Sequence, residues 1–320
     1  MNFSRKTIFW IITLVFLAGA FHLFDKKVAE DQAIAQKKLL LFPFAPDDVT
    51  EFWITKTKDK SVTRLVRDGE NWNFTEPLAV KGDSKAIGKL LTNILHARKD
   101  AILFDTAEPD KLRELGLDKP ELEMGFKATG GKSLIIRFGD MGPTHNIAYA
   151  QFKDDPRVLR IHSAVKQEAD KSVYALRDKI MLNLDPLYMV KMEMVRKGMP
   201  KVVIRHKEGR WDMIEPTLAR ASMEDVLRIM YSVKSSEIKA FIDAPSGQQA
   251  SYGLLPPRIK LTVTFKDQKE PYVLLVGAKD RKRRGYFAKL GNTGPLFVIE
   301  EDLLPVLMVS DDKLREGDPL

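Results

Sequence analysis

The sequence predicts an α+β protein: two tandem, homologous modules of mainly antiparallel sheet with packed helices, preceded by an N-terminal transmembrane helix. Three observations carry this reading. GENWNFTEP at Gly69–Pro77 and EGRWDMIEP at Glu208–Pro216 place the same Trp-x-x-x-Glu-Pro turn at Trp72 and Trp211, 139 positions apart (211 − 72). A stripe of helical period follows each turn, Ile87, Leu90, Leu91 and Ile94 in the first copy and Val226, Ile229, Met230 and Val233 in the second, the spacing of an amphipathic helix. The flanking segments alternate apolar and polar residues, as half-buried strands do, and are grouped around each helix without regular β–α alternation, which favours antiparallel sheet.

The bulk composition sets limits on what the chain can be. At 320 residues it can bury a core in each of two domains, and 44% hydrophobic with 30% charged residues is the balance of a globular protein. The formal net charge of +8 makes anionic partners electrostatically favourable. There is no cysteine, so disulfides, thiolate nucleophiles and Cys-based metal sites are excluded.

In chain order, Thr7–Phe24 reads TIFWIITLVFLAGAFHLF between Arg5-Lys6 and Asp25-Lys26-Lys27. As a helix, this run of eighteen residues would be roughly 27 Å long, enough for a thin bilayer core. Ala18-Gly19-Ala20 has the small-x-small pattern of a signal-peptide cleavage site, so an uncleaved anchor and a cleaved signal both fit, and both export the chain. The anchor is preferred because the apolar run continues past the would-be cut. The Lys count on the two flanks does not let the positive-inside rule fix the orientation; a short tail before a large body favours N-in with the body outside. Asp25–Lys38 mixes both charges without Pro or Gly and reads as a helical stalk. The resulting limits are 1–25 for the anchor or signal, 26–43 for the stalk, 44–184 and 185–312 for the two modules, and 313–320 for a tail.

Each module opens with a hairpin, turning at Asp68-Gly69 in the first copy and Glu208-Gly209 in the second, where glycine tolerates the positive φ of a tight turn. Trp72 and Trp211 are expected to pack against the following helix at the end of a strand. Glu76-Pro77 and Glu215-Pro216 are expected to end that strand, because Pro lacks a ladder donor. Asp83 and Ser222 stand where each helix needs an N-cap. Further on, LGLDKP around Gly116 matches YGLLPP around Gly253, RFG ending at Gly139 matches LVG ending at Gly277, and IAYAQF matches RGYFAKL. A last helix of the first copy is expected over Ser163–Lys179. Chemistry has no need to occur twice, whereas a module that folds twice must repeat its turns, caps and core, so these anchors read as architecture.

At this point the chain resembles the bacterial "domain of unknown function 4340" family. The likeness rests on the apolar N-terminal segment, LFPF at Leu41–Phe44, the Trp-x-x-x-Glu-Pro turn at Trp72 and Trp211, LGLDKP at Leu115–Pro120 and LRDK at Leu176–Lys179. It implies an envelope protein of the bacterial inner membrane, single-pass, with its body in the periplasm, often encoded beside a gliding-type ABC transport system. It implies no enzymatic activity and no catalytic residues. Leu255-Pro256 stands where the first copy has Asp118-Lys119, a departure from the pattern.

Local motifs for chemistry are weak. GGKS at Gly130–Ser133 ends like a phosphate-binding loop, but Phe126 occupies the position of the first glycine and the segment lies between strands rather than before a helix. Ser163-Ala164-Val165-Lys166 fits S-x-x-K without the S-D-N and K-T-G partners of that class. His22, His96, His145, His162 and His206 show no zinc-binding spacing, and no metal or cofactor is expected. One feature differs between the copies: KDRKRRG at Lys279–Gly285 sets Lys279, Arg281, Lys282, Arg283 and Arg284 within six residues, where the first copy has DMGPTHN. It reads either as a docking loop for anionic lipid or an acidic protein partner, or as a solvated hairpin; no nucleic-acid fold accompanies it. The function expected is therefore a non-catalytic, membrane-anchored envelope accessory or binding protein associated with transporter components. The alternative is an envelope enzyme acting on glycan or peptide, with carboxylates drawn from distant positions in a cleft between the modules.

Overall fold

The structure is a computed structural model and describes residues 21, 22, 24–28, 39–245 and 247–316. Its described chain divides into two compact units between Asp178 and Lys179, and each is an α+β module built on one antiparallel sheet. No helix among the described residues is long and apolar enough to cross a membrane. The predicted span Thr7–Phe24 lies, except for Phe21, His22 and Phe24, outside those residues, as does most of the predicted stalk.

The first sheet contains β1 (Val49–Lys56), β2 (Ser61–Asp68), β3 (Asn71–Glu76), β4 (Val80–Lys81), β5 (Lys99–Phe104), β6 (Leu122–Ala128), β7 (Ser133–Met141), β8 (Ile147–Phe152) and β9 (Val158–His162), in the order β4-β3-β2-β1-β6-β7-β8-β9-β5. Helix α1 (Ser84–Leu95) runs from one edge strand, β4, to the opposite edge strand, β5. Its sequence dictates this placement: Asp83 accepts from the Lys85 and Ala86 amides to cap it, and Ile87, Leu90, Leu91, Ile94 and Leu95 are all buried. Burial of each such side chain contributes roughly 1.5–3 kcal/mol, so the stripe holds the helix against Phe52, Phe74, Met124 and Phe126 of the sheet.

The second sheet repeats this order in β10 (Met189–Arg196), β11 (Val202–Lys207), β12 (Arg210–Glu215), β13 (Ala219–Arg220), β14 (Ala240–Phe241), β15 (Ile259–Phe265), β16 (Tyr272–Asp280), β17 (Gly285–Leu290) and β18 (Leu296–Glu300), as β13-β12-β11-β10-β15-β16-β17-β18-β14. Its main helix, Met223–Ser235, is capped by Ser222 and buries Val226, Ile229, Met230 and Val233. In β15, Ile259, Leu261, Val263 and Phe265 are buried alternately, the two-residue period read from the sequence.

The repeat reaches further at both ends than the sequence pattern places it. Leu41 and Phe42, assigned to the stalk, are buried in the first core, and Met181 and Leu182, assigned to the first module, are buried in the second. Leu314, assigned to a tail, is fully buried. Each module is closed alike: Arg177 bridges Gly82 and Arg315 bridges Ala221, while Leu40 bridges Arg98 and Ile180 bridges Glu237. The helix expected over Ser163–Lys179 is also corrected. It is two short helices, Ser163–Ala169 and Val173–Leu176, because Ser172 caps the second by accepting from the Ala175 amide and Arg177 is extended to make the closing bridge.

The repeat anchors are structural. Trp72 and Trp211 are the second residues of β3 and β12, at the start of the strand rather than its end, and both are buried. Trp72 meets Phe52 edge to face at 5.3 Å, whereas Trp211 stacks on His206 at 4.8 Å. Glu76 and Glu215 end their strands, pairing with Arg64 at 2.9 Å and Lys201 at 3.2 Å, and both Glu–Pro bonds are cis. Gly116 and Gly253 hold φ of +68° and +67°. Gly139 and Gly277 admit a backbone carbonyl: a Cβ on either would stand 2.2 Å from an oxygen, that of Leu115 or Tyr252. The opening hairpins turn at equivalent positions, 139 apart (208 − 69), one residue later in the first copy than the expected Asp68-Gly69. The first turns through Gly69 and Glu70, between Asp68 and its partner Asn71, and the second through Glu208 and Gly209, both at positive φ.

Candidate functional site: a basic turn on the second sheet

The β16–β17 hairpin pairs Lys279 with Tyr286 and Asp280 with Gly285, leaving Arg281–Arg284 as the turn. Asp280 builds it. Its carboxylate is 5% exposed and accepts from the Lys282 amide at 3.0 Å, the Arg283 amide at 3.2 Å and the Arg283 guanidinium at 2.8 Å. Burial pushes this carboxyl up, but the hydrogen bonds and charge of Arg283, with the Lys282 amide, outweigh it and hold the group below its ordinary value. Arg284 takes a positive φ of 53°, and its carbonyl accepts from Lys239 Nζ at 2.9 Å. Gly285 is required because a Cβ there would stand 2.3 Å from the Ile299 carbonyl oxygen.

The five cations are not equivalent. Lys279 pairs with Glu301 at 3.0 Å and Arg283 with Asp280, while Lys239 holds Glu300 at 2.6 Å. The Lys279 ammonium, with further charge from Arg284 and Lys239, draws the Glu301 carboxyl below its usual range. Arg281, Lys282 and Arg284 are exposed, and their side chains make no ion pair or hydrogen bond among the described residues. The corresponding turn of the first module, between β7 and β8, carries no Lys or Arg; His145 holds its positive φ, and Thr144 bonds to Asn146.

The remaining motifs resolve into scaffold. Gly130 and Gly131, both at φ +77°, make the β6–β7 turn. Ser163 is buried at the start of its helix, and Lys166 donates to the Gly139 carbonyl at 2.6 Å. Among the described residues no group of three or more His, Asp or Glu is placed to hold a metal ion. Each described carboxylate with a displaced pKa, Asp155, Glu193, Asp280 and Glu301, is displaced downward, the direction of an ion pair and not of a general acid.

Sequence reasoning missed two features. A groove of about 620 Å³ lies beside the second module's main helix, with Ile229, Val306, Met308 and Val309 along it and the Asp225–Arg228 ion pair at its rim. Leu187 and Tyr188, 59% and 63% exposed, precede β10 where the first module has Asp47-Asp48 before β1. Aligning MLNLDPLY with LFPFAPDD would have revealed that replacement.

The fold and this site define a class: a duplicated α+β scaffold whose surface differs between copies at a few turns. A family profile described as Domain of unknown function (DUF4340) matches residues 72–212 and again 211–320, so the chain belongs to that family. Both matches begin at the repeated tryptophan, so the sequence unit starts at β3 and β12, after the folding unit has begun. No curated protein and no solved structure matches the chain.

Proposed function

We propose that the chain is a non-catalytic accessory or binding protein of the bacterial cell envelope, held at the inner membrane by its apolar N-terminal stretch with the body in the periplasm, and working beside an ABC-type transport system. Each module acts as a scaffold, and the Arg281–Arg284 turn of the second is the docking element. The observation that carries this reading is the asymmetry of a duplicated fold. Repetition accounts for the shared tryptophans, prolines and glycines, whereas three unpaired cations on a turn held by a buried aspartate have no counterpart in the first copy.

The test is photo-crosslinking in native membranes from position 282, with a matched probe in the β15–β16 turn at Lys269. A partner captured at 282 and not at 269, and lost at high salt, supports the reading; equal capture at both positions overturns it. Carbonate extraction tests the anchor separately, since a full-length chain that washes off quantitatively has none.

A further inference from the structure

The end of the second sheet that carries the basic turn carries a second departure from the first module. Leu255-Pro256 stands there in place of Asp118-Lys119, and Leu255 is 69% exposed while its neighbour Leu254 is buried. Three contacts fix this loop beside the turn. Gly253 packs so closely on β16 that a Cβ would lie 2.6 Å from the amide nitrogen of Ala278, the residue before Lys279. Tyr252 meets Phe287 of β17 edge to face at 4.9 Å. The Arg258 guanidinium lies 5.8 Å over the ring of Tyr286, the strand partner of Lys279.

A single exposed leucine is ordinary; an exposed leucine and proline held next to unpaired cations make a surface with one apolar point and a positive surround. We propose that Leu255-Pro256 and the Arg281–Arg284 turn form one face that docks on an anionic phospholipid bilayer, Leu255 entering the acyl boundary while Arg281, Lys282 and Arg284 meet head-group phosphates. This rests on the docking role proposed above and names its surface. Charge complementarity supports lipid: Asp280, Glu300 and Glu301 are each engaged by a cation, and against the exposed Asp302 stand the three exposed cations Arg281, Lys282 and Arg284, so the balance of free charge is positive. Shape supports it too. Leu255, 69% exposed, and the exposed Arg281, Lys282 and Arg284 project from this face, whereas protein hot spots seat their anchors in desolvated pockets. Interfacial binding combines apolar insertion with attraction of basic residues to anionic head groups.

Because the chain has no cysteine, Leu255→Cys supplies a single thiol for an environment-sensitive fluorophore. The full chain is reconstituted in nanodiscs of phosphatidylglycerol or of phosphatidylcholine alone. The label at 255 is expected to shift to the blue and to be shielded from aqueous iodide only in the anionic discs. A Lys269→Cys label, on the turn at the other end of β16, is expected to respond in neither. Each basic residue near an anionic leaflet changes affinity about fivefold, so Arg281→Gln, Lys282→Gln and Arg284→Gln together are expected to abolish the shielding, as is high salt. Equal signals in both lipids, or shielding that survives charge removal in a variant with native circular dichroism, overturns the proposal. If 255 stays wet while crosslinking from 282 captures an acidic protein, lipid docking fails and the docking role stands; if neither responds, both fail.

Discussion

Glycines at the same φ but in different surroundings provide a graded test of how the modules are built. Gly69, Gly116 and Gly253 have φ of +59°, +68° and +67°, so alanine at each meets the same left-handed penalty, roughly 1–2 kcal/mol, reduced by about 0.4–1 kcal/mol because alanine also restricts the unfolded chain. What differs is space. A Cβ at Gly69 would meet nothing within 4 Å; at Gly116 it would meet the Asp140 carboxyl carbon at 2.7 Å; at Gly253 it would meet the Ala278 backbone nitrogen at 2.6 Å. A carboxylate can swing away, but a backbone nitrogen in β16 cannot move without disturbing the ladder. Overpacking adds typically 1–3 kcal/mol. The expected costs are about 1 kcal/mol for Gly69→Ala, about 1–2 kcal/mol for Gly116→Ala and roughly 2–4 kcal/mol for Gly253→Ala. Urea unfolding of the full chain, followed by tryptophan fluorescence and circular dichroism, reads the order directly. Gly253→Ala no worse than Gly69→Ala would refute the packing argument and leave only the dihedral one.

Four further outcomes are expected. Trp211→Ala should cost about 3–5 kcal/mol through the cavity it leaves, measured by denaturation, with the conformation of the Arg281–Arg284 turn unchanged by NMR. Replacing Arg281, Lys282 and Arg284 by Gln should alter stability by no more than about 0.5 kcal/mol while removing the salt dependence of docking. Arg283→Gln should instead loosen the turn, seen as faster amide exchange at 282 and 283, because Arg283 is the partner of Asp280. Asp280 has a folded-state pKa below the ordinary 3.8, so its stabilising contribution is complete well above pH 3.8 and disappears as pH falls through the lower folded value; stability of the wild type should therefore drop more than that of Asp280→Asn on acidification below about pH 4.

The duplication, both main helices with their caps, the glutamate-proline strand ends and the antiparallel class were legible because each has a short-range signature: a period, a capping side chain or a missing amide. The module limits were misread because they depend on pairs such as Leu41-Phe42 and Met181-Leu182, too short to show a period, which are identified only by the core they enter. The break within Ser163–Lys179 was hidden only in part. Asp170 and Ser172 are weak helix-interior residues that favour caps, and Ser172 does cap the second helix; what no pattern supplies is the Arg177–Gly82 bridge that ends it. At the candidate site the cations were visible as a run, but not which were paired: Glu301 reaches Lys279 from 22 positions away (301 − 279). Leu255 stands out in sequence as a departure from the repeat, and its place beside the turn depends on Gly253 lying on Ala278, a contact no spacing rule supplies.

The bridges that close each module bear on its behaviour in concentrated solution. A nine-stranded antiparallel sheet ends in two rows of amides and carbonyls that can recruit a strand from another molecule. Here β4 is followed by the Leu176–Asp178 segment, with Asp178 donating to Lys81 and Leu176 accepting from Asp83, and β13 is followed in the same way by Leu314–Glu316. On the other side Leu41 donates to Ala97 next to β5, and Ile238 donates to Lys179 next to β14. The chain thus uses its own lead-in and exit to blunt all four borders. Shortening it by the few residues from Leu314 onward would bare β13 and leave the protein prone to aggregate through that edge.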